Sequence, residues 1–334
     1  MLSEGVDVKI FAGSSGVSFA RKMCRYLGAE LGASEVIYFS DGNVFVRIKE
    51  TVRDKDVYIV LPIGLDPNSE LVELLFWLDA FKRASANSVT AIIPYFGYAK
   101  GDKKDEPRVS IRARVCADCI EVSGADRVIT MDLHSPQVQG FFKKPVDHLL
   151  SLPVLCERVK KMDIMDNLVV VSPDAGFAKQ ARKFGAILNL PVAIGDKQRT
   201  DHSENPQVLD ILGDVDGKNA LIVDDFTTSG GTLVNLAYAL KANGAKRIRA
   251  MLSHNIVSAQ GVKLINDSPI DEVLSTDTVI NPHVQGHPKF RTVSVAPMFA
   301  ETIIRFYNSQ SINAMFSSLP EDIVQAGIDL AGVE

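Results

Sequence analysis

The segment ALIVDDFTTSGGTLVNLAYAL, residues 220–240, sets two adjacent carboxylates at the end of an apolar run and follows them with hydroxyls and glycines. Asp224 and Asp225 are costly at the end of a buried strand unless they are paired or hold a cation. Gly230 and Gly231 let backbone amides approach an anion closely, and Thr228, Ser229 and Thr232 offer hydroxyl donors. The helix that opens here adds the partial positive charge of its first turn. The chemistry is phosphate binding, with the paired acids just outside the phosphate pocket, able to hold ribose hydroxyls directly or through a bound cation. Turn and cap chemistry alone accounts for the glycines and threonines, but not for the two aspartates.

A second segment, PYFGYAKGDKKD, leaves the apolar run SVTAII and gathers Lys100, Gly101, Asp102, Lys103, Lys104 and Asp105 in one loop. That charge pattern reads as a wall of a polyphosphate site. His134, in MDLH, and Asp174, in SPDAG, each follow a strand, at matching points of the two halves. The segment GDKQRTDHSENPQ carries Lys197 and Arg199 without periodic apolar residues, as a loop that closes over substrate would. Cys116 and Cys119 form a CxxC within a helix-like run, where i and i+3 share a face, and read as packing residues.

These groups are positioned by an alternation of short apolar runs (VKIFAG, EVIYFS, DVYIVLP, SVTAIIPY, RVITMDL, LVVVSP, PVAIGD, ALIVDD, RIRAMLSH, EVLSTDTV) with amphipathic stretches such as SFARKMCRYLGAEL and ELVELLFWLDAFKRAS. The pattern predicts an α/β fold of mainly parallel sheets flanked by helices. KIFAGSSGVSFARKMCRYLG and VVVSPDAGFAKQARKFGAIL run strand, small-residue turn, helix alike, Ala20-Arg21-Lys22 matching Ala181-Arg182-Lys183. This faint repeat puts a boundary near residue 150. The 334 residues are enough for two domains. A net charge of −5 gives no general attraction to nucleic acid, no apolar run approaches the roughly 18 residues of a membrane span, and four scattered cysteines make no disulfide framework. With no secretory signal at the start, a cytoplasmic location is expected.

The cradle resembles the phosphoribosyl pyrophosphate (PRPP) motif of type I phosphoribosyltransferase folds. FSDGN, DAFKRASANSVTAIIPYFGYAKGDKKD, GADRVITMDLHSPQVQGFF, VVVSPDAG, GDKQR, ILGDVDGKNALIVDD and STDTV also occur in the order found in the ribose-phosphate diphosphokinase (PRPP synthetase) family. The resemblance, over residues 8 to 316, implies two tandem phosphoribosyltransferase-type domains. Residues 1–150 are the ATP side, with a helix at 297–316 packing back on it; 151–296 form the ribose 5-phosphate side, and 317–334 a tail. The implied reaction is Mg²⁺-dependent transfer of the β,γ-diphosphoryl group of ATP to the 1-hydroxyl of ribose 5-phosphate, giving PRPP and AMP for nucleotide biosynthesis.

By the same resemblance Lys197 and Arg199 are the basic residues of the catalytic loop. Phe39 stacks on adenine, Asp41 receives its exocyclic amine, and Asn43 stands where relatives usually carry glutamate. Lys100, Gly101, Asp102, Lys103, Lys104, Asp105 and His134 bind ATP; Asp174, Asp224, Asp225 and residues 228–232 bind ribose 5-phosphate; His134 and Asp174 serve the magnesium ion. The family supplies the Phe39 loop from a neighbouring subunit, which implies a homo-oligomer, hexameric or built from dimers. Departures are Lys100-Gly101 in place of Arg-Gln, Gln198 in place of a third basic residue, and Phe177 in place of a second glycine. The main rival is a non-catalytic relative that binds nucleotide and regulates an active partner.

Overall fold

The computed structural model describes residues 8–197, 209–313, 315 and 320–331, with only the backbone described at Lys197 and Leu209. The chain divides into two compact units. One holds the residues up to Leu150 with Thr278–Ile280 and those from Ser294 on; the other holds Ser151–Asp277 with Asn281–Val293.

In the first unit β1 (Val8–Ala12) is followed by an antiparallel hairpin of its own, β2 (Ser34–Tyr38) with β3 (Val44–Ile48). Then β4 (Asp56–Val60), β5 (Ser88–Ile93), β6 (Arg127–Met131) and β7 (Val146–Leu149) join β1 in a wholly parallel sheet, ordered β1-β4-β5-β6-β7. β4 and β5 are buried almost throughout, as strands covered on both faces must be. The intervening helices are α1 (Val17–Leu27), α2 (Pro67–Arg83) and α3 (Arg112–Val122). On α2, Leu74, Trp77, Leu78 and Phe81 are buried at the three- and four-residue spacing of one helical stripe. Phe81 lies with its ring centroid 5.6 Å from Trp77 and 4.9 Å from Phe11 on β1, which ties helix to sheet.

The second unit runs α4 (Leu152–Lys160), β8 (Leu168–Ser172), α5 (Ala178–Leu188), β9 (Val192–Lys197), β10 (Leu209–Leu212), β11 (Asn219–Thr227), α6 (Gly231–Ala242), β12 (Ile248–Asn255), α7 (Ala259–Asn266), β13 (Glu272–Thr276) and β14 (Phe290–Val293). The sheet order is β10-β9-β8-β11-β12-β13-β14, antiparallel only between β9 and β10. From β8 the chain builds outward to one side, and from β11 to the other. The crevice past the carboxyl ends of β8 and β11 is therefore the switch point where open α/β sheets bind ligands.

The internal repeat has a physical counterpart. α1 and α5 have 11 residues each, and both end at a left-handed cap, Gly28 with φ 69° and Asn189 with φ 53°. Ala20 and Ala181, at the same position in each helix, are fully buried.

The chain then returns to the first unit as α8 (Ala296–Tyr307), which packs on α1 with Phe299 edge-on to Phe19 at 5.3 Å. Within 317–334, the stretch whose sequence reads as a tail, Glu321–Asp329 form a further helix, α9. It packs on α8 because Ile323 and Val324 give it an apolar face to bury. Among the described residues no helix is long and apolar enough to cross a membrane.

Candidate functional site

In the first unit, the loops after β5 and β6 border an open cavity of about 530 Å³ lined by Lys100, Asp102, Lys103, Asp105, Arg112, His134, Ser135, Pro136 and Gln137. Tyr95, Phe96 and Ala99 are buried and pin the first loop, so that Lys100 and Lys103 are left exposed beyond it. Lys103 reaches Asp105 at 3.8 Å, a solvent-exposed pair of little energetic weight. Gly101 is buried beneath the rim and Lys104 does not line the cavity.

His134 leaves β6 through Asp132, a non-glycine residue at φ 39°, and the buried Leu133. The backbone N–H of Leu133 donates to Nε2 of His148 at 2.9 Å, and Nδ1 of His148 lies 3.2 Å from Nε2 of Gln139. His148, on β7, thus fixes the loop that carries His134. Arg112 and His148 are both absent from the sequence-based set. Arg112 opens a helix whose pattern reads as packing, and a positioning histidine has no local signature.

Phe39, Asp41 and Asn43 lie on the turn between β2 and β3 and do not line this cavity. Phe39 is exposed; its N–H donates to the carbonyl of Asn43 at 2.8 Å, and Oδ1 of Asp41 accepts from the Asn43 N–H at 3.0 Å. Beside that turn the Tyr38 hydroxyl donates to Oε2 of Glu73 at 2.9 Å and lies 2.8 Å from Oγ of Ser14. Glu73 is fully buried and also accepts from the Ser14 N–H at 2.9 Å and the Trp77 indole N–H at 3.1 Å. Lost hydration, with the Glu73 charge adding to it, holds the Tyr38 phenol above its ordinary pKa.

In the second unit β11 runs past the two acids to Thr227. Its pairing with β12 continues to Asn255, whereas its pairing with β8 ends at Ile222. Asp224 and Asp225 therefore flank the opening that β8 leaves. Each folds a carboxylate oxygen onto the next backbone N–H, Asp224 to that of Asp225 at 2.9 Å and Asp225 to that of Phe226 at 2.8 Å. Asp174, which follows β8, accepts from the Phe177 N–H at 3.0 Å. Phe177 itself sits at φ −88°, open to any L-residue, so its bulk costs the turn nothing. Burial, then the charge of Asp225 and that of Asp174, hold the Asp224 carboxyl well above its ordinary pKa.

Thr228 and Ser229 are exposed at the tip of the following loop, with Gly231 and Thr232 half-buried at the start of α6. Gly230 caps α6 at φ 74°, and its N–H donates to Oγ1 of Thr227 at 3.1 Å. α7 supports the loop from behind: the Ser258 N–H donates to the Thr228 carbonyl at 2.9 Å. The second unit thus brings Asp174, Asp224, Asp225 and residues 228–232 to one switch-point crevice. Arg199 lies outside the described residues; Lys197 ends β9, its backbone paired with Leu209.

Among the described residues no three His, Cys, Asp or Glu side chains are grouped to hold a metal ion. Cys116 and Cys119 are free thiols on α3, Cys116 buried and pushed up to about 11 by lost hydration, as a packing thiol is.

Parallel sheets wrapped by helices, with a lysine-bearing loop and a glycine-bearing loop past their carboxyl ends, define an α/β protein of tandem phosphoribosyltransferase type. Residues 8–124 match the family model for the N-terminal domain of ribose phosphate pyrophosphokinase, and residues 197–317 that for the phosphoribosyl synthetase-associated domain. The ribose-phosphate pyrophosphokinase of Caldanaerobacter subterraneus subsp. tengcongensis is 44% identical over 311 residues, covering 93% of this chain and 98% of the relative. That of Clostridium perfringens is 43% identical over 318 residues, covering 95% and 99%. The crystal structure of phosphoribosylpyrophosphate synthetase from Mycobacterium smegmatis matches with a TM-score of 0.85 at 32% identity, over 91% of this chain and 99% of that one. The chain belongs to the ribose-phosphate pyrophosphokinase family of enzymes.

Proposed function

We propose that this chain makes PRPP from ATP and ribose 5-phosphate. The 1-hydroxyl oxygen of the sugar forms a bond to the β-phosphorus, the P–O bond bridging the α- and β-phosphates breaks, AMP leaves, and the hydroxyl proton is released to solvent. Such a transfer asks the protein for alignment and charge neutralisation more than for covalent chemistry. The reading is carried by one conjunction: a cation-lined cavity beside His134 and an acid-flanked phosphate cradle after β11, in one chain of this family.

In this reading residues 228–232 hold the 5-phosphate, Asp224 and Asp225 take the ribose hydroxyls, and Lys100, Lys103 and His134 meet the ATP phosphates. Lys197 and Arg199 supply positive charge to the transferring group as their loop closes. Magnesium, when bound, neutralises phosphate charge. In the second unit the Asp174 carboxylate suits such an ion directly, and in the first His134 would meet one through water, because a hard ion prefers oxygen donors. Phe39, Asp41 and Asn43 serve adenine in a homo-oligomer, where an exposed Phe39 that does not line the lysine-bearing cavity would find a use. We assign the reaction to the cytoplasm; four thiols, none in a disulfide, suit a reducing compartment.

Purified protein given magnesium, ATP and ribose 5-phosphate should form AMP and PRPP in equal amounts. Binding of ATP with neither product formed would overturn this reading in favour of a non-catalytic regulatory subunit.

A further inference from the structure

Gly101 and Arg112 occupy one another's space. A Cβ on Gly101 would lie 2.8 Å from both Cβ and Nε of Arg112 and 3.3 Å from the Tyr98 carbonyl oxygen. The two are also tied through the backbone, since the Ala113 N–H donates to the Gly101 carbonyl at 3.1 Å and so fastens the lysine loop to the start of α3. Position 101 has no side chain of its own to offer a ligand, and the room beside it is filled by the side chain of Arg112. That side chain is exposed, lines the cavity with Lys100, Lys103 and His134, and makes no hydrogen bond or ion pair among the described residues.

An arginine held at the mouth of a cavity with its five donors unspent is suited to fork onto an oxyanion, which lysines at the same rim cannot do. Lys100, Lys103 and Arg112 outnumber Asp102 and Asp105 there, so the cavity takes a polyanion. We propose that Arg112 binds the polyphosphate of the donor nucleotide, and that Gly101 is the residue that gives it room. The proposal rests on the reading of this cavity as the nucleotide side of the enzyme. It assigns to the helix start a guanidinium that the Lys100-Gly101 pair does not supply.

Titration calorimetry with inorganic tripolyphosphate as the probe tests it on the full chain. Arg112→Ala should weaken binding about tenfold, the loss of one charge-assisted hydrogen-bonding group, and Arg112→Lys should recover part of that. Gly101→Ala should cost a similar factor in the native background and nothing further in the Arg112→Ala background. No binding by the native protein, Arg112→Ala within twofold of native, or a Gly101→Ala loss of equal size in both backgrounds would overturn the assignment. Tripolyphosphate binding needs no turnover, so the two readings fail separately. A protein that loses the probe with Arg112 yet forms no PRPP keeps the assignment and sinks the reaction; one that forms PRPP with Arg112→Ala unaltered does the reverse.

Discussion

Asp224 binds its proton more tightly in the folded protein than in the unfolded chain, because burial and two neighbouring acids oppose its charge. The folded state therefore binds more protons than the unfolded one above the ordinary value of 3.8, and stability falls as pH rises through that window. Asp224→Asn cannot ionise. It should stabilise the ligand-free protein at pH 8 by on the order of 1–2 kcal/mol, a few degrees in melting temperature, with the gain shrinking toward pH 5. Equal shifts in scanning calorimetry at the two pH values would show that this carboxyl is not titrating. At this scale the sequence was informative where chemistry is local: two acids and a glycine turn in ten residues announce themselves. Gly101 and Arg112 do not, because their relation is steric and crosses a loop, and neither residue type carries it alone.

Among the elements, the hairpin β2–β3 packs Val36, Val46 and Ile48 on the core of the first unit and is tied beside its turn, through Tyr38, to one carboxylate. Glu73, itself fully buried, accepts from Ser14, Tyr38 and Trp77. Glu73→Gln turns one acceptor into a donor facing donors, which should cost about 1–3 kcal/mol. Trp77 is the chain's one tryptophan, so its emission reports on the change directly. A shifted spectrum with a lowered melting temperature is expected, and an unchanged spectrum would mean that the indole N–H bond is immaterial. The ten strands legible in the sequence include every central one. The four that are not, β3, β7, β10 and β14, belong to the hairpin or lie at a sheet edge and are four or five residues long. Strands with one neighbour need less burial, so their sequences alternate weakly and resemble loops. The reach of β11 beyond its acids is hidden for a related reason: it is set by β12, a pairing partner distant in sequence.

For the whole molecule, the decisive feature is that the first unit is discontinuous, completed by α8 and α9 from the far end of the chain. α9 buries Ile323 and Val324 on α8, and the Ser294 N–H donates to the Gly327 carbonyl at 3.0 Å. Each such apolar side chain contributes roughly 1.5–3 kcal/mol on burial. Ending the chain after residue 319 should therefore lower the melting temperature of the first unit by several degrees, read by calorimetry; an unchanged melt would return α9 to the status of an appendage. The same discontinuity orders events in time. As the chain leaves the ribosome, Phe19 on α1 waits for Phe299 on α8 until the whole second unit between them has been made. The second unit, nearly contiguous in sequence, closes first. Throughout that interval the N-terminal unit presents an uncovered apolar helix face, so nascent chains arrested before residue 296 should be the ones that chaperones hold.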